Sequence, residues 1–402
     1  MTPAREERLL TPAFLVLIAT GTCYFTAFGM VVPVLPRFVE GPLGGGDVAV
    51  GITFGAFGLG AVALRPVAGR IGDRSGRKVL ILAGALIAAL ASATYFLVDG
   101  VALLVLARMA QGVGEAAFWV GIATSVADLT PEARRGEGMS YFSVALYTGT
   151  AFGPVIGELV LDSGGYDRVW LVATALFGAA ALLGLGCPNV RPPSTGEARG
   201  RFFPRAAYVP GAVLFLGICG IVGFSAFVPL YGEDLGLDDV SIVFLVFGVV
   251  TLAIRLFGAR LPDRLGPLRA ISFAMLGIAG GLAVIAAWSS VVGLFVGTVV
   301  MAIGVAFLYP GAMTLALMGV PEHQRASVVG AVSMCFDLAG AIGALTLGVI
   351  ASLSGDRGVF VGGAVLSVIA LVVLRSGLDP RVHEHGAAAR ADEELHEPEI
   401  TS

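Results

Sequence analysis

Lysine is nearly absent: Lys78 is the only one in 402 residues, and histidine and cysteine occur four times each. Charge of both signs is scarce too. Asp, Glu, Lys and Arg make up 13% of the chain, about half of the roughly 25% usual in soluble globular proteins. Hydrophobic residues make up 56%, and the mean hydropathy is +0.89. Cys23, Cys187, Cys219 and Cys335 lie in or beside apolar runs and form no CxxC pair, so they read as small packing residues and no metal site is expected. The tail pair His383 and His385 reads as solvated. HExxH, GxSxG, P-loop and Cys/His signatures are all missing, which argues against an enzyme and against nucleotide-driven chemistry. No cofactor and no nucleic-acid partner are expected.

What fills the chain instead is apolar runs of about 20 residues, the length that carries a helix across a bilayer core. Twelve occur, at about 12–36, 48–69, 79–98, 101–128, 138–161, 168–187, 210–231, 239–259, 270–288, 291–318, 327–352 and 358–377. The expected fold class is therefore an all-α membrane protein with twelve transmembrane helices. An even number of crossings puts both termini on one side. The basic residues fall heavily in the loops of that side, with Arg37, Arg168 and Arg357 opposite. By the positive-inside rule that side is cytoplasmic. The basic start and first apolar run resemble a signal peptide, but the run continues to Pro36 and eleven more follow, so it reads as an uncleaved first helix.

The charged phrase GRIGDRSGRK at 69–78 returns in worn form as ARLPDRLGPL at 259–268. An offset of 190 lays Arg65 on Arg255, Arg70 on Arg260, Asp73 on Asp263, Arg74 on Arg264 and Gly76 on Gly266. The same offset aligns Pro131, Glu132 and Arg135 with Pro321, Glu322 and Arg325. An internal duplication follows. It gives a first half at 1–187, a cytoplasmic linker rich in Pro, Gly and Arg at 188–209, a second half at 210–377 and a polar cytoplasmic tail at 378–402.

Three motifs carry a family resemblance. Gly69, Asp73, Arg74, Gly76, Arg77 and Lys78 match the loop signature of the major facilitator superfamily after its second helix. RMAQGVGEA at 108–116 is similar to its fourth-helix motif. GTAFGPVIGE at 149–158 resembles the fifth-helix motif GxxxGPxxGG of its antiporters, with Glu158 where the last Gly would stand. MVVPVLP at 30–36 is similar to the end of the first helix in twelve-helix drug exporters of that family. The resemblance implies two six-helix halves with a substrate site between them, as parallel-repeat transporters have. It implies alternating access powered by a proton gradient, and export of amphipathic small molecules such as drugs or natural products. An exporter or symporter of a polar metabolite, such as a sugar, is the alternative. Implied partners are the small-molecule substrate, protons and the lipid bilayer around a monomer. The preference for arginine over lysine fits a GC-rich bacterial genome, hence a bacterial cytoplasmic (inner) membrane.

Each motif also has a physical reading. Gly149, Gly153 and Gly157 recur every four residues and form a smooth ridge for close helix approach, with Pro154 favouring a bend. The charged phrase reads as a gate latch. Gly69 and Gly76 permit a tight turn, Asp73 can accept from amides at the next helix start, and Arg70, Arg74 and Arg77 can reach acids on neighbouring helices, with Asp128 the named candidate. The alternative is a topology signal alone. Arg65 and Arg255, duplicated one turn before the phrase, suit a shared role in that gate.

Charge inside a span costs about 2.5–3.5 kcal/mol on insertion scales, so each such residue is a functional candidate. Arg108, Gln111, Glu115 and Trp119 share one face of the fourth helix. Glu115 is the candidate proton site with Arg108 as its tuning partner, or the two form a static pair. Asp337, the other mid-span acid, can join the proton path, bind a cationic substrate, or meet Arg65 or Arg255. Glu158 is expected to snorkel to water. Tyr24, Phe28, Phe118, Trp119, Tyr147 and Tyr309 are candidate cavity aromatics beside Gln111.

The worn second phrase lacks the Arg77 and Lys78 equivalents, having Pro267 and Leu268 there. If the first copy alone kept the latch, Asp73→Asn lowers transport more than Asp263→Asn; equal effects in a transport assay identify both copies as topological anchors.

Overall fold

The computed structural model describes residues 11–130, 134–189, 204–257 and 265–377, apart from a few side chains such as that of Asp73. Asp263, Arg264, the greater part of the linker and the tail from 378 lie outside the described residues. Those residues form eleven α-helices and two short 3-10 turns: α1 (Pro12–Glu40), α2 (Asp47–Ser75), α3 (Arg77–Ala93), α4 (Val101–Leu129), α5 (Arg135–Gly184), α6 (Tyr208–Asp234), α7 (Ser241–Phe257), α8 (Pro267–Ala287), α9 (Val291–Leu317), α10 (Glu322–Ser354) and α11 (Asp356–Ser376). Ten are long and apolar enough to cross a membrane, and α7 is a shorter apolar helix of 17 residues. The fold is all-α and membrane-spanning.

The expected fifth and sixth helices are one element, α5, of 50 residues. A straight helix of that length is about 75 Å long, more than twice a bilayer core. It is broken where Gly164 and Gly165 leave helical geometry, Gly165 at φ 70°. Each limb is long enough to cross alone. The break has a counterpart 190 residues on: Gly355, at φ 72°, separates α10 from α11. Gly76 and Gly266 form a second such pair, at φ 94° and 75°, each just before the following helix. Positive φ is open to glycine without a Cβ clash, so the duplication is visible in backbone conformation as well as in letters.

Helix ends follow local chemistry. Thr11 caps α1 by accepting from the Phe14 amide at 3.2 Å, and Pro12 occupies the first turn where its missing N–H costs nothing. Within the first half, α1 lies along the first limb of α5. A Cβ on Gly149 would come within 2.7 Å of the Phe25 carbonyl carbon, and one on Gly153 within 2.7 Å of the Thr26 oxygen. The Gly149–Gly153–Gly157 ridge is thus a backbone-on-backbone contact with α1 inside one half. Helices α6 to α11 build the second half, around Phe224, Ile278, Met301 and Phe360.

The two halves meet chiefly along α2 with α10, the first limb of α5 with α7, and α1 with α6. Call the face bearing the GRIGDRSGRK phrase the terminus face, since α1 begins and α11 ends toward it. At the opposite, far face, one apolar cluster takes Val34, Leu35 and Phe38 from the first half and Phe227, Leu230 and Leu347 from the second. Gly51 and Gly55 of α2 pack there against Ala344 and Leu345 of α10.

Filling the α1–α5 contact forces strain. Gly153→Val is expected to lower stability by about 1–3 kcal/mol, read as a lower melting temperature in detergent. Gly178→Val, where a Cβ meets nothing within 4 Å, serves as the control and leaves the melting temperature unchanged.

Candidate functional site

Midway through the bundle, one arginine faces two acids. Arg65 of α2 donates from Nη2 to Asp337 Oδ1 at 2.8 Å, and its Nε also pairs with the Asp337 carboxylate. The same Nη2 lies 3.4 Å from Glu115 Oε2. Side-chain exposures are 12%, 5% and 16% for Arg65, Asp337 and Glu115, so all three groups are largely removed from solvent. Glu115 belongs to α4 of the same half, whereas Asp337 belongs to α10 of the other. Of the options open for Asp337, the geometry shows the meeting with Arg65. Arg65 therefore lies at the join between the halves, nearly three turns before the end of α2.

Arg108 does not pair with Glu115. Its Nη1 donates to Gln111 Oε1 at 2.7 Å, and Tyr95 donates its hydroxyl to that same oxygen at 2.6 Å. The guanidinium sits over the Phe57 ring at 4.5 Å and near Phe54 at 5.8 Å. The residue facing Glu115 is Arg65, from another helix. Sequence spacing along α4 could show which residues share a face but not what stands opposite that face.

Arg255, the repeat counterpart of Arg65, has different surroundings. It lies on α7 with its guanidinium 4.6 Å from the Tyr147 ring centroid, across the join between halves. Tyr309 is close enough to feel Arg65, Arg255 and Asp337 electrostatically. The shared gate role expected for the two arginines is not what their contacts share: one is held by acids, the other by an aromatic face.

The aromatic candidates divide. Tyr24 and Phe118 stack at 3.8 Å between centroids and are 2% and 0% exposed. Both are packed inside the first half and shielded from solvent. Trp119 packs edge-on to Phe25 and Phe142. Phe28 lies 5.3 Å from Phe57, while Tyr147 and Tyr309 stand beside Arg255. Gln111 is buried with Arg108.

At the far face Glu158 does not snorkel to water. It is 5% exposed and takes two bonds from Arg37 Nη1, at 2.9 and 2.7 Å. Arg37 Nε pairs with Glu233 of α6. This is a second arginine with two acids, one from each half, and the sequence analysis missed both Arg37 and Glu233. A signal existed: Glu158 replaces a glycine in a span, so a buried cation had to be near.

On the terminus face, Arg77 is buried, with its Nε 3.4 Å from Asp128 Oδ2. Lys78 donates to the Leu185 carbonyl just past α5. Arg70 and Arg74 are exposed. Gly76 has the positive φ a tight turn requires, but Gly69 is mid-helix, with open space where a Cβ would go. Gly69 therefore makes no tight turn, contrary to expectation. These contacts bind α3 to α4 and α5, all within the first half.

Breaking a buried pair by removing one partner costs about 3–5 kcal/mol. Arg65→Gln strands two acids and Asp337→Asn strands none, so Arg65→Gln is the more damaging of the two by thermal unfolding in detergent. The double variant loses less than the sum of the singles; strict additivity would show that the groups do not interact.

Comparison with known proteins agrees with this architecture. The profile described as Major Facilitator Superfamily matches residues 17–340 and 240–399. An uncharacterized MFS-type transporter of Salmonella typhimurium is 25% identical over 359 residues, covering 87% of this chain and 92% of that one. Multidrug resistance protein 1 of Bacillus subtilis is 27% identical over 217 residues, 52% of this chain and 55% of that one. Among solved structures, a POT family transporter in complex with 5-aminolevulinic acid superposes with a TM-score of 0.76 at 15% identity, covering 90% of this chain and 94% of that one. The nucleoside transporter NupG superposes with a TM-score of 0.74 at 14% identity, covering 91% of this chain and all of that one. At such identities the two structures speak for the fold alone. Profile, relatives and fold together make this chain a multi-pass membrane transporter, not an enzyme, and a member of the Major Facilitator Superfamily.

Proposed function

We propose that the chain exports amphipathic small molecules in exchange for protons, by alternating access, from a bacterial cytoplasmic membrane. The observation that carries this reading is Arg65 held between Glu115 of one half and Asp337 of the other. One cation facing two carboxylates leaves a place for one proton. A proton arriving on Asp337 cancels the charge that ties α10 to α2 and leaves Arg65 to Glu115. The halves are then freer to move, and their movement changes which face the acids see. Glu115 and Asp337 are the proton-carrying groups and Arg65 is their switch. Arg108 is a positioning residue that acts through Gln111.

The terminus face is taken as cytoplasmic, because the basic loops lie there. With that orientation the apolar far-face cluster and the Arg37–Glu158–Glu233 contact close the outer side. The antiporter-type fifth-helix motif and the partial match to multidrug resistance proteins support export.

The test uses proteoliposomes with an acid interior and a reporter of lumenal pH. Exchange predicts that an added amphipathic substrate collapses the gradient as it enters, and that Asp337→Asn and Glu115→Gln remove most of this response. Deepening of the interior acidity on adding substrate would instead identify a symporter. Full activity of both variants would exclude these acids as the proton path.

A further inference from the structure

Three arginines lie within the spans near the centre of the protein, but both central acids belong to one of them. Arg65 takes Glu115 and Asp337. Arg108 is enclosed by Gln111 and two phenylalanine rings. Among the described residues, Arg255 has no carboxylate partner at all. Its Nε is shielded from solvent and unbonded, and its guanidinium rests on the Tyr147 ring. A guanidinium has five donors and stays charged. Holding one in a low-dielectric span against an aromatic face alone is costly unless an anion joins it. Repeat symmetry sharpens the point. The equivalent position in the first half has a full set of acids, so the missing acid beside Arg255 is specific to the second half.

The location suits a ligand more than a structural partner. Arg255 reaches across the join between the halves, from α7 to Tyr147 on α5. Tyr309 of α9 stands close enough to feel its charge. A cation on one tyrosine ring, with a second tyrosine within electrostatic reach, is what an aromatic or amphipathic carboxylate needs: ionic bonding for the head, an apolar face for the body. From this we infer that the transported compounds are anionic amphiphiles, carboxylates in the first instance, and that Arg255 with Tyr147 and Tyr309 holds the head group. The inference rests on the transport reading above and narrows it to a substrate class. It also separates the two duplicated arginines: Arg65 serves the proton and Arg255 the substrate.

The experiment measures equilibrium binding to the purified full-length protein, with no pH gradient. The probes share one ring system and differ in charge: 2-naphthoate, 2-naphthamide and 2-naphthylmethylammonium. Naphthoate should bind tightest. Arg255→Gln should weaken naphthoate about 10- to 100-fold, the range of a hydrogen-bonded ion pair, while leaving naphthamide unchanged. Arg255→Lys should recover part of the loss. Arg375→Gln, on an exposed arginine at the end of α11, should leave the naphthoate preference intact, excluding a general effect of net charge. A preference for the ammonium probe, an equal loss for naphthoate and naphthamide in a variant that melts like the parent, or no binding of any probe overturns the proposal. Because no proton movement is measured, naphthoate binding without proton exchange would overturn the antiport reading alone. Proton-coupled transport of cations without naphthoate binding would overturn this inference alone.

Discussion

A guanidinium at the join between two apolar half-bundles carries a charge that has to be matched, and at two points carboxylates drawn from both halves supply the match. Arg37 and Arg65 solve it in the same way at two depths. Each stands on a first-half helix and takes one acid from its own half and one from the other: Glu158 and Glu233 for Arg37, Glu115 and Asp337 for Arg65. Burial keeps water from competing for Arg65, Glu115 and Asp337 and strengthens their attraction, while Glu233 is half-exposed. The Arg65–Asp337 contact cannot open without leaving charge in an apolar environment or transferring a proton. That makes the join a place with discrete states, as a transporter requires.

The rest of the fold keeps each half stiff so that motion is confined to the join. Glycines bring α1 against the first limb of α5 with no side chain between. Arg77 with Asp128, and Lys78 with the Leu185 carbonyl, tie α3 to its neighbours on the terminus face. These links stay inside the first half. The charged phrase is therefore a clamp of one half among the described contacts. The Asp73 side chain lies outside the described residues.

The spans and the duplication were legible because both are local patterns. Apolar run length follows bilayer thickness, and Gly76 with Gly266, or Gly165 with Gly355, mark turns that only the backbone conformation requires. The site was legible only in part. Glu115 and Asp337 announce themselves as acids inside spans, but Arg65 lies 272 positions from Asp337, and no periodicity along α4 or α10 points to it. The same limit hides the stacking of Tyr24 on Phe118: sharing a helix side with functional residues does not tell which neighbour a ring meets. Glu158 was read as an isolated acid near water because Arg37 and Glu233 come from other helices. Helix faces can be read from spacing, whereas the pairing of faces is set by packing.

The central claim is that Arg65 ties the halves together through Asp337. It is tested most directly by distances across the far face. The four native cysteines are replaced, and spin labels are placed at Asp162 of the first half and Asp238 of the second, both exposed. Pulsed dipolar spectroscopy then compares the parent with Asp337→Asn. The account predicts one short-distance population in the parent and a new, longer one in Asp337→Asn, as the far face is released. Identical distance distributions in the two proteins would contradict it.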